Sequence, residues 1–126
     1  MGQNQDVSSM KCIMNEINQE SNDFTLFIFS HTNCGPCHIA KKDMKEIAED
    51  LNIIFIEYGD NLKYDKIKDK YKKFYDFVRP EICASLKEIP DFFPKLYLMN
   101  SAKKIVWRSK GWKGSSLTKL KRKVKP

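Results

Sequence analysis

The chain has 126 residues, the length of one compact domain, and its 41% hydrophobic and 12% aromatic content with only five Gly and five Pro excludes a disordered or fibrous chain. The net charge of +7 is unevenly placed, because residues 1–91 carry 12 Lys/Arg against 16 Asp/Glu whereas residues 92–126 carry 11 Lys/Arg and no acid. No apolar run approaches the ~18 to 20 residues of a membrane-spanning helix, and residues 1–22 lack the marks of a secretory signal, so the expected compartment is the cytoplasm.

The elements follow in order. Val7, Met10, Met14 and Ile17 recur at three- and four-residue steps, which predicts an N-terminal amphipathic helix within residues 1–22. Phe24 to Phe29 is nearly all apolar, the pattern of a central strand buried on both faces. Pro36 to Leu51 reads as a helix with Ile39, Met44, Ile47, Ala48 and Leu51 inward, and Asn52 to Tyr58 as a second strand ended by Gly59-Asp60. Ile67, Tyr71, Phe74 and Val78 predict a helix over 64–78, and Ile82, Leu86 and Ile89 a shorter one before Pro90. Lys95 to Met99 and Lys104 to Arg108 flank a turn at Asn100-Ser101-Ala102 and form a hairpin. A final helix starts at Ser115 or Ser116 and carries Leu117, Leu120 and Val124.

The chemistry concentrates at Cys34-Gly35-Pro36-Cys37, between a buried strand and the first turn of a helix. A Cys just before a helix lies beside unpaired N–H groups and the positive end of the helix dipole, which stabilise its thiolate. Cys34 is therefore the expected nucleophile, and Cys37, one turn further in, the resolving thiol. Pro36 suits the first helical position and Gly35 a tight turn. His31 and His38 border the motif, and either one protonated would favour the thiolate. Cys12 and Cys83 read as inert buried thiols on helix faces.

Cys34-Gly35-Pro36-Cys37 between strand and helix resembles the thioredoxin-like family. The likeness covers roughly residues 24–123: Phe93-Pro94 before KLYLM matches the family's cis-proline, which faces the two cysteines, and Gly111 matches the glycine ahead of its last helix. The resemblance implies an α/β fold, a three-layer α/β/α sandwich with a mixed sheet of about four strands. The whole of 1–126 then forms one domain, with 61–92 as a helical insertion before the cis-proline. It also implies a thiol–disulfide oxidoreductase acting on protein disulfides through Cys34 and Cys37, with Asn33, Phe93 and Pro94 contacting the substrate. By analogy the potential is on the order of −270 to −200 mV. Three departures mark a divergent member: Asn33 stands in the place of a Trp, Ile28 in that of a buried acid, for which Glu57 or water is a candidate substitute, and Lys42 in that of a helix-kinking Pro. No first strand is evident before the N-terminal helix.

Other uses of the motif fit less well. Cys34 to His38 also spells the attachment signature of c-type haem, yet the motif follows a buried strand and Met99, the axial candidate, falls in another. Zinc would need Cys12, Cys83, His31 or His38 to complete the site, at a spacing unlike paired zinc knuckles. No metal or organic cofactor is expected. The alternative from another class is a non-catalytic, protein-binding adaptor on the same scaffold. The expected partners are protein disulfides and an electron donor, for a monomer. The basic C-terminal stretch, with Trp107 and Trp112 interleaved, reads as solvated lysine faces ahead of a nucleic-acid surface.

Overall fold

The computed structural model describes residues 7–17 and 22–125. Helix α1 (Val7–Glu16) is followed by strand β1 (Thr25–His31), helix α2 (Gly35–Asp43) with a 3₁₀ extension at Met44–Ile47, and strand β2 (Asn52–Tyr58). Helix α3 (Asn61–Tyr71), strand β3 (Asp76–Val78) and 3₁₀ turns at Pro80–Ile82 and Ala84–Leu86 come next. Strands β4 (Lys95–Met99) and β5 (Ile105–Lys110) and helix α4 (Ser116–Val124) complete the order.

The strands form one sheet in the order β3-β2-β1-β4-β5. β1 runs parallel to β2, and β2 to β3, whereas β4 is antiparallel to β1 and to β5. β1 to β2 and β2 to β3 step the same way along the sheet, so right-handed crossovers put α2 and α3 on one face. The residues agree. Leu26, Ile28, Phe55, Leu96 and Leu98 pack with Ala40 and Met44 of α2, Tyr64, Ile67 and Tyr71 of α3, and Leu120 of α4. On the other face Phe27, Phe29, Ile54 and Ile56 pack with Met10 and Ile13 of α1 and with Cys83 and Leu86. This is the expected α/β sandwich with a mixed sheet.

Several expectations are corrected. The sheet has five strands rather than about four. The fifth is β3, inside the segment read as helix 64–78. Tyr75 and Phe77 enter one core cluster and Val78 the other, with Asp76 exposed between them. That period of two satisfies the outer edge of β2, and pairing with Ile54, Phe55 and Ile56 outweighs the helical spacing of Tyr71, Phe74 and Val78. Residues 61–92, expected as a helical insertion, therefore hold a strand as well as a helix. The short helix before Pro90 is absent, because Cys83 adopts an extended conformation (φ −138°, ψ 132°) between two 3₁₀ turns, and Ile89 is left 68% exposed. Of the side chains expected inward on the helix read over 36–51, Met44, Ile47 and Leu51 are buried and Ala48 packs on the core, but Ile39 is exposed and Cys37, Ala40 and Lys41 fill the inner side of α2, which ends at Asp43 rather than at Leu51. In α1 the inward pair is Met10 and Ile13, with Met14 and Ile17 half-buried. The expected lack of a first strand concerns residues 1–6, which lie outside the described residues.

Cys12 and Cys83 are not inert thiols. They form a disulfide, with Cα atoms 6.3 Å apart, that joins α1 to the segment leading into β4 across 71 positions of sequence. Replacing both by Ser should lower stability by about 2–4 kcal/mol, since the bridge restricts the unfolded chain; urea unfolding of parent and variant reads the difference. The basic C-terminal helix is partly neutralised at home, by Lys121 to Glu46 and by Lys125 to Asp50 at 3.1 Å. Among the described residues no helix is long and apolar enough to cross a membrane.

Candidate active site

β1 delivers the chain to the site and α2 carries it away. Cys34 is the N-cap residue of α2, in extended conformation (φ −105°, ψ 114°), and its Sγ accepts the peptide N–H of Cys37 at 3.2 Å. A sulfur held there faces the orphan amides that end a helix, where negative charge is stabilised. Pro36 occupies the first turn, where its missing N–H costs nothing. Cys34 and Cys37 are joined by a disulfide, with Cα atoms 5.2 Å apart; Cys37 is buried and Cys34 partly exposed. Gly35 does not serve a tight turn: its φ lies outside the left-handed region, and open space surrounds the position of a Cβ.

The loop ahead of Cys34 is held from several sides. Thr32 N–H donates to Tyr58 O (2.9 Å), Asn33 N–H to His31 Nδ1 (3.0 Å), and Cys34 N–H to His31 O (3.1 Å). Through Nδ1, which accepts the Asn33 N–H, His31 orients the residue ahead of Cys34. His38 Nε2 meets the Thr32 carbonyl at 3.0 Å and donates to it. Gly59, absent from the sequence reading of the site, underlies the same loop. It adopts φ +110°, and a Cβ there would collide with Thr32 Oγ1 and press on the His31 ring. Gly59→Ala should therefore cost about 1–3 kcal/mol from backbone strain alone, readable as a lowered denaturation midpoint.

The peptide bond between Phe93 and Pro94 is cis. The Phe93 ring sits 5.4 Å from the rings of both His31 and Tyr58, which brings this loop to the end of β1 beside the cysteine motif. Pro94 is buried and its carbonyl accepts the Gly111 N–H at 2.7 Å, so that oxygen is not open to a partner strand. Gly111 has φ +85°, a conformation suited to glycine.

Behind the dithiol lies a charged pair. Lys41, one turn beyond Cys37 on the inner side of α2, is fully buried and places Nζ 2.9 Å from Ser30 Oγ. The same Nζ is 3.2 Å from Glu57 Oε1 and 3.4 Å from Oε2. Ser30 and Glu57 are register partners on β1 and β2, so one ammonium bridges two strands. Glu57 is also fully buried, and Oε1 has the ion contact but no hydrogen bond among the described residues. Burial holds the Lys41 pKa below its ordinary value, against the opposing pull of Glu57. The Glu57 backbone carbonyl accepts from Arg79 at 2.8 Å. Ile28, at the place of the family's buried acid, is part of the apolar core. Lys42 is exposed and Glu57 occupies the interior in company with Lys41. Lys41 escaped sequence reading, although Cys37, Ala40, Lys41 and Met44 stand at helical spacing with one charge among apolar residues.

With both bridges closed, Cys12 and Cys83 are held by each other rather than converging on the motif with His31 or His38. Among the described residues no cluster of His, Cys, Asp or Glu is arranged to hold a metal ion.

No protein-family model matches the chain, and no curated protein does. Solved structures do match. A thiol-disulfide oxidoreductase from Bacteroides fragilis superposes with a TM-score of 0.64 at 17% identity over 87% of each chain. A thioredoxin-like protein from Porphyromonas gingivalis gives 0.65 at 19% identity, over 84% of this chain and 76% of that one. StoA from Bacillus subtilis gives 0.60 at 15% identity over 80% and 83%. The fold is thioredoxin-like. Within that thioredoxin-like frame the dithiol sits at the start of α2, the cis-proline loop beside it, and β3 along the outer edge of β2.

Proposed function

We propose that the protein is a thiol–disulfide oxidoreductase that exchanges electrons with protein disulfides through Cys34 and Cys37. The observation that carries this reading is the Cys34 sulfur at the N-cap of α2, bonded to Cys37 and receiving its peptide N–H. In the reducing direction the Cys34 thiolate attacks one sulfur of a substrate disulfide, and the other sulfur leaves as a thiolate. The Cys37 thiolate then attacks Cys34 Sγ in the mixed disulfide, which closes the Cys34–Cys37 bond and releases the second substrate thiolate. Two electrons pass to the substrate, and an external dithiol of the donor restores the pair. The oxidising direction is the same sequence reversed. The buried Lys41–Glu57 pair, one turn behind Cys37, offers groups that can take up the proton this thiol must lose. Phe93, Pro94 and Asn33 are the candidate substrate contacts.

The solved structures similar to this chain support the fold on which the reading rests, and one of them is itself described as a thiol-disulfide oxidoreductase. The Cys12–Cys83 bridge supports work in a compartment where disulfides persist, rather than the cytoplasm that residues 1–22 suggested. Alkylation trapping of the protein in its own cell, resolving one oxidised pair from two, tests that placement. The function itself is tested by a redox titration against glutathione and dithiothreitol buffers. A reversible two-electron transition for Cys34 and Cys37 is expected, with a midpoint below about −250 mV marking a reductase and one above about −150 mV an oxidant. A pair with no reversible transition overturns the reading.

A further inference from the structure

The inserted helix α3 does more than cover the sheet. Asp60 caps it, its carboxylate accepting the Lys63 N–H at 2.9 Å, while the Asp60 N–H donates to Thr32 Oγ1 at 3.1 Å. The Lys63 ammonium reaches across to the side-chain carbonyl of Asn33 at 2.7 Å. Asn33 is the residue before Cys34. The insertion is thus fastened at two points to the loop that presents the nucleophile, and one of those fastenings is a positive charge at the mouth of the site.

Between α2 and α3 this arrangement leaves a shallow groove of about 360 Å³, lined by Thr32, His38, Lys63, Lys66 and Ile67. Its floor is apolar, through Ile67 and the lysine stems. Its rim is cationic. Neither Lys63 nor Lys66 belongs to an ion pair among the described residues, and the Lys63 ammonium has the neutral Asn33 carbonyl as its partner. Thr32 and His38, which flank the motif in sequence, place one end of this groove beside the dithiol. Two uncompensated ammonium groups there favour carboxylates in the approaching chain and repel lysines.

We propose that the groove between α2 and α3 selects protein segments with acidic residues beside the exchanged cysteine, with Lys63 and Lys66 as the specificity-determining residues. The inference rests on the oxidoreductase reading for its purpose but not for its test. Two labelled synthetic peptides, alike except for Asp and Glu or Lys on either side of a serine in the cysteine position, are titrated onto the oxidised protein. The acidic peptide should bind on the order of tenfold more tightly, as two exposed charge contacts allow, and the preference should shrink between low and ~200 mM salt. Lys63→Glu/Lys66→Glu should reverse it. Because Lys63 also holds Asn33, Lys66→Glu alone is the second variant and should remove a part of the preference without touching that bond. Equal binding of the two peptides by the parent, or a preference that survives both variants, overturns the proposal. So does displacement of the acidic peptide by an oligonucleotide of equal charge at equal concentration, which would assign the groove to nucleic acid. Turnover of the disulfide-linked versions of the same peptides is measured separately. If neither is turned over the oxidoreductase reading fails, while the binding comparison still decides what the groove prefers.

Discussion

Cys34→Ser should lower the rate of disulfide exchange at least about a thousandfold, the scale on which loss of an attacking nucleophile is felt. The reason is positional. Cys37 is buried, and Cys12 and Cys83 are closed on one another, so among the described residues no other cysteine stands as an exchangeable sulfur at the N-cap of an α-helix to take over the attack. The hydroxyl of Ser can still accept the Cys37 N–H, which leaves the cap in place and confines the loss to chemistry. Reduction of a protein disulfide by the parent and by the variant, with circular dichroism to show both folded, measures the effect. Retention of full biological activity by Cys34→Ser would favour the adaptor reading, in which the scaffold holds a partner and the dithiol is incidental. Cys37→Ser is the informative companion, since it should stall the reaction at a mixed disulfide on Cys34 that survives denaturing electrophoresis without reductant.

Glu57→Gln should cost about 3–5 kcal/mol at neutral pH, because it strands the Lys41 ammonium in the interior with no carboxylate, only the Ser30 hydroxyl and the face of the Phe55 ring beside it. The pH dependence follows from the same group. Burial already holds the Lys41 pKa below its ordinary value, and the variant removes the one influence that raises it. In the variant the native state therefore sheds the Lys41 proton before the unfolded chain does. Between the two pKa values the unfolded state binds more protons, so stability rises with pH there, and the penalty is full below that window and eases toward the ordinary lysine range. Chemical denaturation of parent and variant at pH 7 and pH 10 should show the gap narrowing. A gap that stays constant or widens would mean that the lost stability comes from altered packing rather than from an unpaired cation. The double replacement Lys41→Met/Glu57→Leu should restore most of the loss, as well-packed apolar side chains commonly match a buried ion pair. Its effect on catalysis is a separate readout. If stability returns but resolution of the mixed disulfide is slow, the pair serves the thiol chemistry as well as the fold.

Much of this was legible from local patterns. The spacing of Cys34 and Cys37, the apolar run before them and Pro36 between them are neighbours in sequence, and an N-cap is a local structure whose geometry depends on few other residues. The hairpin of Lys95–Met99 and Ile105–Lys110 was equally local. What escaped was set by distant partners. Residues 71–78 satisfy a helical and an extended period at once, and only the vacant edge of β2 makes the extended one win. Nothing local marked the partners of Lys41, since Ser30 and Glu57 are neighbours across two strands. Ile39 was misplaced for the same reason, since the turn of the helix that buries Lys41 leaves it outside, while Met44, Ile47 and Leu51 point inward as their spacing predicts.

The cysteines and the charge divide in the same way. Composition and spacing alone determined that a dithiol stands at the start of a helix in an α/β chain with a strongly basic C-terminal stretch, because those are properties of neighbouring residues. Only the tertiary structure decided that Cys12 and Cys83 are one bridge, that a buried lysine rather than a lone acid lies behind the redox pair, and that part of the basic helix is balanced by Glu46 and Asp50. It also decided that Lys63 of α3, and no residue of the C-terminal stretch, holds the side chain next to the nucleophile. Ion pairs and disulfides act over a few ångströms, and which residues come within that distance depends on how the strands are ordered in the sheet.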